Sequence, residues 1–250
     1  MSGLRPIVTV YTMSAMKLSR IVSNQPDISR KQANRLIATG QVYVNNLSCR
    51  TADADVDEFA AVSVNGKTVR QSRYAHYIML HKPAGYLSAT EDDTHPTVLQ
   101  LLPPALSQCL HIAGRLDRAT TGLMILTNNG AWSRRLTLPG RGIAKVYRVA
   151  TAYPIGPDTS QRFAEGIWFE YEQLTTAPAT LELLEPTLAR LTIYQGRYHQ
   201  VKRMFHAVGN RVIALHREQI GHLRLNGDLA EGHFRMLTGS EIEGLNRYYT

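Results

Sequence analysis

The stretch HIAGRLDRATTGLMILTNNG, residues 111–130, holds one acid, Asp117, between Arg115 and Arg118, just ahead of a tight turn and an apolar run. That run, residues 122–127, reads as a strand bounded by turn signals, and a helix is expected directly after it over residues 130–136. A lone acid set between arginines at a turn calls for a reason that strand formation does not supply.

The surrounding charges make Asp117 more conspicuous. Residues 118–157 contain six Lys or Arg (Arg118, Arg134, Arg135, Arg141, Lys145, Arg148) and no Asp or Glu. A second acid-free block, residues 186–217, carries six more: Arg190, Arg197, Lys202, Arg203, Arg211 and Arg217. Any one of these cations reads most simply as solvated surface charge. Two such blocks in one chain of net charge +8 point to phosphate, and so to a polyanionic partner.

With 250 residues and 44% hydrophobic composition, the chain can bury a real core, either as one large domain or as a small one beside a medium one. No run approaches the roughly 20 apolar residues that span a bilayer. The N-terminus lacks a signal-peptide pattern, and residues 1–15 are expected to be a flexible extension upstream of a natural start at Met16. Cys49 and Cys109 stand far apart without CxxC or Cys/His spacing, so neither a disulfide framework nor a zinc site is indicated. A cytoplasmic protein without a metal is the expectation.

The organisation begins with ISRKQANRLIATGQVYVNN, where Ser29 and Gln32 form a capping box, Ala33, Leu36 and Ile37 face inward, and Gly40 ends the helix. Its exposed side carries Arg30, Lys31 and Arg35. Val42 and Val44 alternate with polar neighbours, and VSVNGKTV adds a strand and an Asn-Gly turn. This small unit is basic, with nine Lys or Arg against five acids in residues 1–70. A polar linker follows at residues 70–76. Beyond it, strands are expected at residues 77–81, 122–127, 145–151, 179–184 and 189–194, and helices at 130–136, 158–165 and 199–208. Several strands in succession without crossover helices predict an α+β fold with a mixed, largely antiparallel sheet. In the last helix Val201, Met204, Phe205 and Val208 form a buried stripe, while His199, Lys202, Arg203 and His206 form either a cationic face or an ordinary solvated one.

Four motifs, taken together, resemble a known family. KPAG at residues 82–85, GRLDRATTGL at 114–123, KVYRV at 145–149 and GRYHQVKRMF at 196–205 are similar, in order and spacing, to the motifs of bacterial rRNA pseudouridine synthases. The likeness covers residues 16 to about 245 and is greatest to the RsuA-type branch, which modifies 16S rRNA. The amino-terminal unit resembles the RNA-binding module of small-subunit ribosomal protein four (S4-like). Its opening MKLSRIV places Ser19 and Arg20 where an acid and a lysine are common.

The resemblance implies an S4-like RNA-binding domain over residues 16–72, a catalytic domain over 76–250 and no cofactor. It implies that Asp117 is the catalytic carboxylate, that Lys202 orients it, and that Tyr147 meets the base or sugar. Arg115 would enter the space left by the flipped uridine. Arg118, Arg197, His199, Gln200 and Arg203, with Arg30, Lys31 and Arg35 of the small domain, would bind RNA. Gly114, Thr121 and Gly122 would shape the loop around Asp117, and Lys82 would support that loop rather than react. The partner would be 16S rRNA, free or in a partly assembled subunit, bound by a monomer. A 23S rRNA substrate and a non-catalytic assembly factor are the alternative readings.

Overall fold

Asn65 and Gly66 both take positive φ, 49° and 76°, and so turn the chain sharply enough to pair Val62–Val64 with Lys67–Arg70 in an antiparallel hairpin. A computed structural model describes residues 15–138, 140 and 142–249. The chain divides between Ala75 and His76 into two compact units.

In the first unit the sheet runs Leu47–Ser48, Val42–Val44, Val62–Val64, Lys67–Arg70. The helix Arg30–Ala38 starts at Ser29, whose side chain accepts from Gln32 N while Gln32 Oε1 accepts from Ser29 N, a complete capping box. Ala33 and Ile37 are fully buried with Val42, Val62 and, from the preceding helix Leu18–Ser23, Leu18 and Val22. Of the segment expected to be a flexible extension, residues 1–14 lie outside the described residues. Ala15 belongs to the strand Ala15–Lys17, which pairs with Asp55–Asp57.

The second unit is built on a nine-stranded sheet. Its main path runs Thr180–Glu185, Leu188–Ile193, Lys145–Thr151, Val212–Ile220, Thr121–Thr127, Tyr77–Lys82, Phe234–Met236. Its ladders are antiparallel except between Val212–Ile220 and Thr121–Thr127, so the sheet is mixed and largely antiparallel, as expected. The helices Thr159–Glu165 and Gln200–Ala207 pack together edge to face through Phe163 and Phe205, at 5.1 Å. The helix Gly130–Thr137 is capped by Asn129 and buries Trp132 against Tyr77. Among the described residues no helix is long and apolar enough to cross a membrane.

The sequence pattern did not reveal the strand Val212–Ile220. Its residues, VIALHREQI, do not alternate, because it is buried unevenly and carries charged groups into the interior. It lies beside Gly122, where the parallel register sets Arg217 opposite. Gly122 has φ +109°, and a Cβ there would meet the carbonyl oxygen of Arg217 at 2.3 Å. Two backbones touch, and neither can move without breaking the ladder.

Gly122→Ala therefore combines backbone strain with a backbone clash and is expected to cost roughly 2–5 kcal/mol in urea unfolding. Gly85→Ala, at φ +92° with open space for the methyl group, carries only the strain, about 1–2 kcal/mol. Equal losses at the two sites would show that the close approach is not the constraint.

Candidate active site

The residues that precede Thr121–Thr127 form a loop held at several points by its own backbone. Ala113 N donates to Ile125 O at 2.8 Å, and Thr120 N donates to Asp117 O at 3.0 Å, closing a turn on the acid. Ser88 holds Leu116 twice, accepting from its N–H at 3.0 Å and donating to its carbonyl at 2.5 Å. Thr121 Oγ1 meets His216 Nδ1 at 2.7 Å. Gly114, at φ +99°, makes the bend that leads into the loop.

Two buried cations complete the hold. Lys82, with no exposed surface, donates from Nζ to the carbonyls of Pro83, Arg118 and Thr120 at 2.9, 3.1 and 2.8 Å. Arg217, 1% exposed, donates from Nε to Leu123 O at 2.7 Å and from Nη2 to Gly114 O at 3.1 Å. Its Nη1 faces Arg115 O and the hydroxyl of Tyr147, at 3.4 and 3.5 Å. Burial pulls the Lys82 ammonium down to about 8, against an opposing pull from Asp117.

Asp117 projects from this loop with its side chain 27% exposed. Lys202 Nζ lies 2.7 Å from Oδ2 and His199 Nε2 lies 3.2 Å from Oδ1, so both oxygens have a basic partner. Both partners belong to one helix end. Val201, Met204 and Phe205 anchor the helix Gln200–Ala207 in the core, which points Lys202 at the loop. His199 caps it in the left-handed conformation, φ 49° and ψ 30°, and stacks on Tyr198 with ring centroids 3.9 Å apart.

Residues 76–207 match the RNA pseudouridylate synthase family. The chain belongs to that family. Ribosomal small subunit pseudouridine synthase A of Pseudomonas aeruginosa is 48% identical over 227 residues, covering 91% of this chain and 99% of that protein. The Escherichia coli protein of the same name is 44% identical, covering 91% and 98%. A crystal structure of a pseudouridylate synthase superposes with a TM-score of 0.68 at 38% identity, covering 92% of this chain and 99% of that one. The chain is therefore an isomerase of the pseudouridine synthase class, with the fold of that class and a mixed sheet at its centre.

Of the residues singled out in the sequence, the pseudouridine synthase fold brings Asp117, Lys202 and His199 into contact, with Gly114, Thr121 and Gly122 around the same loop. Arg115 and Arg118 are exposed beside Asp117, and Arg118 Nη1 touches His95 Nε2 at 2.8 Å. Tyr147 is 7% exposed, its hydroxyl turned to Arg217. Arg30, Lys31 and Arg35 lie exposed on one helix of the first unit.

Other residues singled out in the sequence meet partners within the protein. Gln200 is 3% exposed, and its Oε1 accepts from Arg197 N at 3.0 Å, so it braces the turn. Arg203 is held by Glu172, Nη1 to Oε1 at 2.6 Å, and lies over the Phe169 ring at 3.7 Å. Arg148 and Arg190 share Glu218, and Arg190 also meets Glu182. The acid-free blocks are thus less free of acids in space than in sequence. The sequence pattern gave no sign of Ser88, of the buried Arg217 or of the His199–Asp117 contact.

Lys82 sets an expectation for pH. Its folded value, about 8, lies below its ordinary 10.5, so between these pH values the unfolded chain binds the extra proton. This group's linkage therefore favours folding as pH rises through that window, while the neutral amine loses one of the donors that hold the loop. Activity and stability should part company, with kcat/KM falling around pH 8 and the urea midpoint showing no matching loss from Lys82. Lys145, also lowered to about 8 by burial and by Arg217, is separated from it by Lys145→Arg. If Lys82→Arg, which stays charged, leaves the alkaline limb in place, Lys82 is not its origin.

Proposed function

We propose that this chain converts one uridine of small-subunit (16S) rRNA to pseudouridine, with Asp117 as the catalytic carboxylate. The observation that carries this is the pairing of Asp117 with Lys202 at 2.7 Å and His199 at 3.2 Å on a loop fixed from beneath by Lys82 and Arg217. The reaction breaks the bond from N1 to C1′, turns the base over and joins C5 to C1′. C5 gives up a proton and N1 gains one, so no electrons leave or enter and no atom is added. A carboxylate at the sugar carbon serves this as nucleophile or as a stabiliser of developing positive charge.

The target base leaves its stack before the chemistry, and Arg115, exposed two residues from Asp117, takes its place. Lys202 orients the carboxylate, and Tyr147 forms the floor beneath the base. Residues 76–250 act as the catalytic domain. Residues 16–72 act as an S4-like RNA-binding domain, whose exposed Arg30, Lys31 and Arg35 sit on one face of a capped helix. With Arg118 and Arg197 they hold a folded rRNA segment in the cytoplasm, and the protein works as a monomer. The names of the small-subunit relatives, at 44–48% identity over most of the chain, support the choice of rRNA.

Pseudouridine mapping in 16S and 23S rRNA from cells lacking the gene tests this directly. One 16S site is expected to vanish and to return with the wild-type gene but not with Asp117→Asn, whose rate should fall on the order of 10³-fold or more. A vanished 23S site would reassign the substrate, and unchanged maps would reduce the protein to an RNA-binding factor. Replacing Arg30, Lys31 and Arg35 by glutamine should raise KM about tenfold or more and flatten its salt dependence, with kcat preserved. An unchanged KM would remove this helix from the RNA interface.

A further inference from the structure

Tyr198 is 75% exposed, an aromatic ring held in the open beside the reacting carboxylate. One face lies on His199, nearly parallel at 19°, and His199 in turn reaches Asp117. His199 has the left-handed backbone that side chains other than glycine rarely adopt, and this conformation lets one imidazole touch both neighbours. Arg203 fixes the segment from behind by donating to Tyr198 O at 3.3 Å while paired with Glu172.

Next to this stack lies a hollow of about 300 Å³, lined by His199, Lys202, Arg203, His206, Asn210 and Arg211. Asp117 engages Lys202 and Glu172 engages Arg203. His206 and Arg211 are exposed and have no acidic partner among the described residues. Tyr198 adjoins His199, which lines the hollow, and Arg211 lies in the same lining; an aromatic face and an uncommitted cation are what the two parts of a nucleotide seek, since a base stacks on any π-face and a phosphodiester seeks positive charge.

We propose that Tyr198 and this hollow form a subsite for the nucleotide adjacent to the target uridine, the ring taking its base and Arg211 with His206 taking its phosphate. The subsite rests on the reading of Asp117 as the catalytic group. Because His199 joins the two, a stacked neighbour base also steadies the carboxylate.

The test uses the full-length enzyme and an rRNA fragment containing the mapped uridine, with an abasic residue placed on either side in turn. One abasic position is expected to lower kcat/KM about tenfold with wild type. Tyr198→Ala should lose the same factor on intact RNA and be indifferent to that abasic position, while Tyr198→Phe keeps wild-type behaviour. Arg211→Gln should raise KM, leave kcat alone and reduce the logarithmic salt slope by about one. The subsite is overturned if Tyr198→Ala matches wild type on intact RNA, or if its loss multiplies with every abasic loss. It is also overturned if Arg211→Gln leaves the salt slope intact. A wild-type enzyme that modifies no uridine overturns the functional reading and the subsite with it, whereas an active wild type beside an unaffected Tyr198→Ala overturns the subsite alone.

Discussion

The guanidinium of Arg217 lies under the Asp117 loop with 1% of its surface exposed, and it donates to three carbonyls and one hydroxyl. Removing a charge from water costs several kcal/mol, and only well-placed acceptors offset that cost. The acceptors are Gly114, Arg115 and Leu123, which bracket the loop, and Tyr147 on the neighbouring strand. Lys82 binds Arg118 and Thr120 on the other side of the acid in the same way. The backbone around Asp117 is therefore the solvation shell of two buried cations. Distorting the loop strands both charges, so its geometry is as costly to change as a packed core.

The sheet topology makes this arrangement available. Among the described residues, only the pairing of Val212–Ile220 with Thr121–Thr127 is parallel in the large sheet, and it puts Arg217 against Gly122 at the very start of the strand. A side chain at residue 122 would hold the backbones apart. Glycine there permits the close approach, and the approach carries the guanidinium beneath the loop.

Much of the fold could be read from the sequence because local chemistry agreed with the final structure. The Ser29–Gln32 capping box, the Asn65-Gly66 turn and the stripe Val201, Met204, Phe205 each depend on neighbours within one or two turns of chain. The strand Val212–Ile220 and the burial of Arg217 and Gln200 depend on partners far away in sequence, and no periodicity encodes them. Charge was the least legible property. Glu172 neutralises Arg203, and Glu182 and Glu218 neutralise Arg190, although all three glutamates lie outside the acid-free blocks. What has no acidic partner among the described residues, notably Arg115 and Arg211, is a smaller basic surface than the net charge suggests.

The site itself depends on a division of labour between two elements. The loop fixes the backbone of Asp117, but the direction of its carboxylate is set by Lys202 and His199, both from the start of one helix. That helix is registered by Val201, Met204 and Phe205 in the core, and its first turn is braced by the buried Gln200. These apolar contacts therefore bear on the direction of the Asp117 carboxylate together with Lys202 and His199. The left-handed backbone at His199 belongs to the same arrangement, for a conformation that costs on the order of 1–3 kcal/mol is held at the residue that gives Asp117 its second partner.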